Sequence, residues 1–257
     1  MSRVSRSRWS RCLLPPADAP VEDRVYDVYD PPLVVARTRA IPAATQDLVE
    51  LPDRRAYRSL SRTGVLLCAA GLAAAEALGP HLAADRYRVG IYCAVDPGAQ
   101  NYECARELAG RSREDFAAVF KQLNHPKRYL SQLANLPAAH LGIFLGVRGP
   151  VNVYCHSTAA ALHALEQAEL DLAGGTVTAA LVCSAFSLED PLLALRVRTS
   201  CPEETVIREG AAAVLLTVDA LLKADNRWPR REPRPGAEFS GIAQPLIDFA
   251  QEESFPC

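Results

Sequence analysis

The sequence is poor in several residue types. Its 257 residues include one methionine, two tryptophans and three lysines, against 25 arginines. That arginine bias reads as the codon usage of a GC-rich genome, because 30 Asp and Glu offset the 28 cations and leave a formal net charge of −2. A near-neutral balance excludes a strongly basic nucleic-acid binder and an acidic disordered chain. Long apolar runs are also missing. The longest mostly apolar, uncharged run is Gly64 to Ala75, too short for a bilayer and rich in Ala and Gly, so it reads as a buried helix and no membrane association is expected. Arg3, Arg6, Arg8 and Arg11 open the chain, but Pro15, Pro16 and Pro20 follow instead of an apolar core, so a basic tail is expected rather than a secretory signal. None of the eight cysteines, at 12, 68, 93, 104, 155, 183, 201 and 257, forms a C-x-x-C pair, which argues against a zinc site of the usual spacing. Most lie in apolar runs such as Val182-Cys183-Ser184 and read as small buried hydrophobes in a reducing cytoplasm. No G-x-S-x-G elbow, Walker loop or G-x-G-x-x-G occurs, so hydrolase, nucleotide and dinucleotide readings have no motif, and no cofactor or metal is expected.

What is present describes a soluble globular protein. Hydrophobic residues make up 49% of the chain, enough to bury a sizeable core in one large domain or two small ones. Residues 1–30 read as a basic, Pro-rich tail, 31–222 as the folded domain, and 223–257 as a Pro- and Arg-rich surface extension with at most a short terminal helix. Leu33 to Ala36 and Val89 to Val95 read as buried strands. A long helix over 56–78 is expected to stop at Gly79-Pro80. Residues 99–125 are helical and polar, with Phe116 and Phe120 four apart on one face, and 129–145 suggest a further helix interrupted by Pro137. Gly149-Pro150 turns the chain into a strand, Val151 to His156, followed by a helix to Ala173 with the stripe Ala161, Leu165, Ala168 and Leu172. Strands over 176–186 and 211–218 follow. Strands alternating with helices imply an α/β sheet covered on both faces.

The strand-to-helix junction in Gly149 to Gly175 carries the chemistry. A group there sits at a helix N-terminus, where free N–H groups and the dipole stabilise a thiolate or oxyanion, as acyl transfer requires. The segment resembles ketosynthases of the thiolase fold, which carry G-P, a strand, and then A-C-S-S-S-L-x-A-L with cysteine as nucleophile. Laid without gaps on Gly149-Pro150, the cysteine position falls on Thr158, and L-x-A-L falls on Leu162-His163-Ala164-Leu165. Asp53-Arg54-Arg55-Ala56, Val89 to Ala94, Leu136-Pro137-Ala138-Ala139, Leu145 to Pro150, and Glu209-Gly210-Ala211-Ala212-Ala213-Val214 also resemble the family's segments in order. The resemblance covers about residues 50–218 and implies a thiolase-like fold, the N-terminal half of a ketosynthase, with a mostly five-stranded mixed sheet and helices on both faces.

Two departures set the functional expectation. A threonine hydroxyl is a poor nucleophile without an activating base. The family's two histidines lie in H-G-T-G-T and G-x-N-A-H contexts in its second half. The five histidines here, at 81, 125, 140, 156 and 163, have neither context. No catalytic residue is therefore expected in a chain that accommodates half the fold. Cys155 is the alternative nucleophile, although Cys155 and His156 would point to opposite faces of a continuing strand. The resemblance implies a chain-length-factor-like subunit. It would pair with a full-length ketosynthase in a cytoplasmic heterodimer that condenses malonyl units onto acyl carrier protein-bound chains in polyketide or polyene synthesis. In that fold the strand before the nucleophile lies at the dimer interface, here Val151, Asn152, Val153, Tyr154, Cys155 and His156. Phe116, Phe120 and Tyr129 are candidates for lining the acyl cavity. Arg106, Arg111, Arg113, Lys121, Lys127 and Arg128 are candidates for docking an acidic carrier protein. A stand-alone acyltransferase using Cys155 and a homodimeric acyl-binding scaffold are the alternatives.

Overall fold

The computed structural model describes residues 9–96, 107–108, 111–123, 129–155, 159–218 and 233–252. The segments important for function hang on a central five-stranded mixed sheet of order β1-β8-β6-β4-β5. Its strands are β1 (Trp9–Leu13), β4 (Val89–Val95), β5 (Val151–Tyr154), β6 (Ala179–Phe186) and β8 (Gly210–Thr217). β5, β4 and β6 run parallel, whereas β8 is antiparallel to β6 and β1 antiparallel to β8. Every residue of β4 and β6 is buried, as expected of parallel strands covered on both faces.

The two-residue period of the strands sorts their side chains into two cores. Tyr92, Ala94, Val182, Phe186, Val214 and Leu216 face one, with Ala161, Leu165, Ala168 and Leu172 of helix α5 (Ala160–Ala173). Ile91, Cys93, Leu181, Cys183, Ala213 and Leu215 face the other. That second core is covered by α1 (Arg62–Leu72) through Val65, Leu66 and Leu67, and by α4 (Leu136–Leu145) through Ala138 and Leu141. The fold class read from the sequence, an α/β five-stranded mixed sheet with helices on both faces, is the one observed.

Several local expectations differ. The long helix over 56–78 is two helices, α1 and α2 (Ala75–Asp85), bent by 72° at Ala73-Ala74. Pro80 lies inside α2 instead of ending the helix. The Glu76 carbonyl that loses its donor belongs to an exposed residue, so water can serve it. α4 starts at Leu136, with Pro137 in its first turn, where a missing N–H costs nothing. Helix α3 (Arg113–Leu123) is the described part of the polar helical region.

Residues 9–13 and 22–26 lie in the stretch read as a tail, yet form strands. β1 pairs along its whole length with β8, from Trp9 opposite Leu215 to Leu13 opposite Ala211. Pro15, Pro16 and Pro20 bracket the strands and interrupt no ladder. β2 (Glu22–Tyr26), β3 (Leu33–Arg39), β7 (Val206–Arg208) and β9 (Glu238–Phe239) make a second sheet, of order β2-β3-β7-β9, that the sequence did not announce. In consequence β3 is only half covered, and Val34 is exposed while Val35 is buried.

The stretch read as a surface extension also contributes to the core. After the short helix α6 (Pro191–Thr199), β7 and β8, the described residues resume at 233 and lead into β9 and helix α7 (Gln244–Glu252). Leu246, Ile247, Phe249 and Ala250 of α7 pack into the same core as α5, and Ser10 Oγ donates to the Ala250 carbonyl. Buried Gln244 donates from Nε2 to Asp248 Oδ1 at 2.8 Å and accepts the Ser240 N–H on Oε1 at 2.8 Å. Ile247 is fully buried, so Ile247→Ala should destabilise the protein by about 2–5 kcal/mol. Urea denaturation measures this, and a wild-type midpoint would show that α7 does not belong to the cooperative unit.

Candidate functional site at the ends of the parallel strands

β4, β5 and β6 end on the same side of the sheet, the side on which open α/β sheets usually bind ligands. Asp96 follows β4, Cys155 follows β5, and Ser187 to Asp190 follow β6. A shallow cleft opens here between the N-terminus of α1 and the segment before α4. Ser61, Thr63, Asp96, Ser131, Glu189 and Asp190 line it on the polar side, and Leu133, Pro137 and Leu193 on the apolar side.

Behind its lining lies a buried carboxylate. Glu209, 1% exposed, accepts four N–H groups: Arg62 Nε at 2.8 Å, Arg62 Nη2 at 2.7 Å, the Ile41 amide at 2.9 Å and the Leu188 amide at 3.1 Å. Arg62 also donates to the carbonyls of Ile41 and Ala43. Its own amide donates to Glu189 Oε2 at 2.7 Å. Burial raises the Glu189 carboxyl above its ordinary range, against the lowering effect of this N–H and of the Arg62 charge. Burial likewise raises Asp96, against the opposing charge and hydrogen bond of Arg196, 2.5 Å away. Asp190 caps α6 by accepting the Leu192 and Leu193 amides, and Thr63 Oγ1 lies 2.7 Å from Ser187 Oγ. The carboxylates are thus held by guanidinium and amide groups, which suits them to shape the cleft more than to exchange protons freely.

The residues singled out from sequence fall in different places. Cys155 is half-buried and has no hydrogen-bond partner among the described residues. Thr158, His156, Arg106, Lys127 and Arg128 lie outside the described residues. Phe116 and Phe120 stack with centroids 6.0 Å apart, but they are 46% and 37% exposed, and Tyr129 is 48% exposed. Arg111, Arg113 and Lys121 are exposed, and Arg111 pairs with Glu107 at 3.6 Å. His163 is exposed on α5. His140 is half-buried, stacked on Phe144 at 5.5 Å, with Nε2 3.3 Å from Ser59 Oγ. Sequence reasoning missed Asp96, Glu189, Asp190, Arg62 and Arg196. Only Asp190 had a local signal, an Asp followed by Pro at a helix start. The Arg62–Glu209 pair spans 147 residues, which no local pattern reveals.

With this geometry described, comparison with known proteins is informative. No protein-family profile and no curated protein matches the sequence. Solved structures do match. A β-ketoacyl synthase from Burkholderia phymatum STM815 aligns with TM-score 0.57 and 18% identity over 77% of this chain and 52% of its own. The ketosynthase ApeO in complex with its chain length factor ApeC, from Xenorhabdus doucetiae, aligns with TM-score 0.56 and 16% identity over 77% and 50%. The ishigamide ketosynthase/chain length factor aligns with TM-score 0.52 and 18% identity over 74% and 52%. The chain therefore has a ketosynthase-like, thiolase-type fold, and it spans about half the length of the structures it matches.

Two outcomes test this description. Arg62→Leu leaves Glu209 charged and unpaired in the core and should cost about 3–5 kcal/mol, part of which Arg62→Leu/Glu209→Leu should restore. Denaturation curves of the single and double variants measure this, and no recovery in the double variant would assign the loss to packing. His140 has its pKa lowered, chiefly by burial. Its neutral form is therefore favoured in the fold, so wild-type stability should fall as pH drops below the unfolded histidine's pKa of about 6.5. A His140→Gln variant should lose less Tm between about pH 7.5 and about pH 5.5; parallel losses would refute this.

Proposed function

We propose that this chain is a non-catalytic, chain-length-factor-like subunit. It pairs with a full-length ketosynthase and helps condense malonyl units onto acyl carrier protein-bound chains in the cytoplasm, within polyketide or polyene synthesis. The open edge of β5 carries the proposal. Each sheet has two edge strands, and three of the four have features that discourage pairing. β2 is charged at Glu22, Asp23 and Arg24 and carries a bulge between Glu22 and Arg24. β9 has two residues, and β1 bears Arg11. β5, Val-Asn-Val-Tyr, is uncharged, has a regular register with β4, and among the described residues is paired on one side only. Its first residue, Val151, is 40% exposed, and Ile143 of α4 is 73% exposed. An uncharged edge with apolar flanks fits addition of an equivalent strand from a partner.

The remaining observations agree with this arrangement. At the register of the family nucleophile stands Thr158, and the partner would supply the cysteine and histidines. The exposed Phe116, Phe120 and Tyr129 form apolar surface that a partner can cover, turning it into the wall of a shared acyl cavity. Arg111, Arg113 and Lys121, with Arg106, Lys127 and Arg128, would attract the acidic carrier protein.

Co-expression with a full-length ketosynthase, followed by co-purification and assay of the pair, tests the proposal. A stable complex more active than the ketosynthase alone is expected, and Ile143→Arg/Val151→Arg should abolish the complex without unfolding the chain, because both side chains are exposed. A stable monomer that binds no ketosynthase would refute it. Stoichiometric acylation of Cys155 by an acyl thioester, lost in Cys155→Ala, would instead establish an independent acyltransferase.

A further inference from the structure

A second surface lies at the opposite end of the sheet, where the parallel strands begin. The turn before β4 presents Arg86, Tyr87 and Arg88, all exposed, and the turn before β5 presents Arg148, also exposed. Tyr87 is 68% exposed. The two turns are locked together. The Arg148 amide donates to the Arg86 carbonyl at 3.0 Å, the Thr178 amide to the Arg88 carbonyl at 2.7 Å, and the Ile91 amide to the Pro150 carbonyl at 2.9 Å. Between them the backbone is so close that a Cβ on Gly149 would lie 2.2 Å from the Val89 carbonyl oxygen and 2.7 Å from that of Tyr87. Gly146, with φ of +71°, ends α4 in the left-handed conformation that brings Arg148 onto this turn.

None of Arg86, Arg88 and Arg148 forms an ion pair among the described residues. Arg88 donates to the Gly175 carbonyl at 2.8 Å, which fixes its direction. The neighbouring carboxylate, Asp85, accepts the Tyr87 amide. Some other exposed arginines do have such partners: Arg54 faces Glu50 at 3.1 Å, Arg55 faces Asp53 at 3.0 Å, and Arg111 faces Glu107. Three exposed arginines without an ion pair among the described residues and an exposed tyrosine, carried on turns joined by backbone hydrogen bonds, have the composition of a binding hot spot.

We infer that Arg86, Tyr87, Arg88 and Arg148 form a docking surface for an acidic polypeptide segment. Its open shape gives a small anion no walls. Three cations neutralise too few phosphates for firm nucleic-acid binding. A carboxylate-rich segment, by contrast, can place side chains on the arginine forks and its stem against Tyr87. The inference stands on this surface alone and is independent of pairing at β5.

Fluorescence anisotropy of the full chain with a labelled poly-glutamate peptide tests it. Binding is expected at about 20 mM salt and should weaken at about 300 mM. Arg86→Glu/Arg148→Glu should weaken it at least about tenfold, and the neutral Arg86→Gln/Arg148→Gln less, both with wild-type melting. Arg54→Glu should bind like wild type. No binding by the wild type, equal binding by the charge-reversed variant, or tighter binding of a single-stranded oligonucleotide would overturn the inference.

Discussion

The arrangement of the cleft depends on one buried ion pair. Glu209 lies just before β8 and Arg62 at the start of α1, and together they bind the chain at Ile41, Ala43 and Leu188. A lone carboxylate at 1% exposure would be costly, and the four N–H donors remove that cost by giving every strong acceptor direction a partner. One side chain thereby fixes the first turn of α1, the end of β6 and the entry to β8. Asp96, Glu189 and Asp190 take their positions from those elements.

The sheet above this pair is built from small residues. β8 reads Gly-Ala-Ala-Ala-Val-Leu-Leu-Thr, and α5 carries Ala160, Ala161, Ala164 and Ala168 on its buried face. Small side chains allow α5 to lie close to β4 and β6, but bury little apolar area each. The larger residues that complete this core come from α7: Leu246, Ile247 and Phe249. One face of the sheet is therefore closed within the chain. The open feature among the described residues is an edge, β5, rather than a face.

The central sheet was legible in the sequence because parallel strands buried on both faces write continuous apolar runs, as in Val89 to Val95 and Ala179 to Phe186. The second sheet was not. β2 opens with three charged residues before Val25 and Tyr26, β7 has three residues and β9 two, and pairings such as Ile207 with Phe239 join distant segments. The helix pair α1 and α2 was read as one because its break contains only alanines. Proline signals also misled in both directions. Pro80 continues a helix, and the prolines after β1 bound a strand in what read as a tail. Of the cleft, Asp190 had a capping signature, whereas Asp96, Arg196 and Arg62 acquire meaning only through contacts across the fold.

The same contacts bear on where chemistry can originate. Activating a nucleophile at the ends of these strands calls for a base with a free lone pair. Glu209 and Asp96 are committed to guanidinium groups, Glu189 to the Arg62 amide, and Asp190 to the α6 N-terminus. Withdrawing any of them as a base would break the interaction that holds its own loop. Burial also raises Asp96 and Glu189 above their ordinary range. The described part of the cleft is thus a scaffold whose acids are occupied.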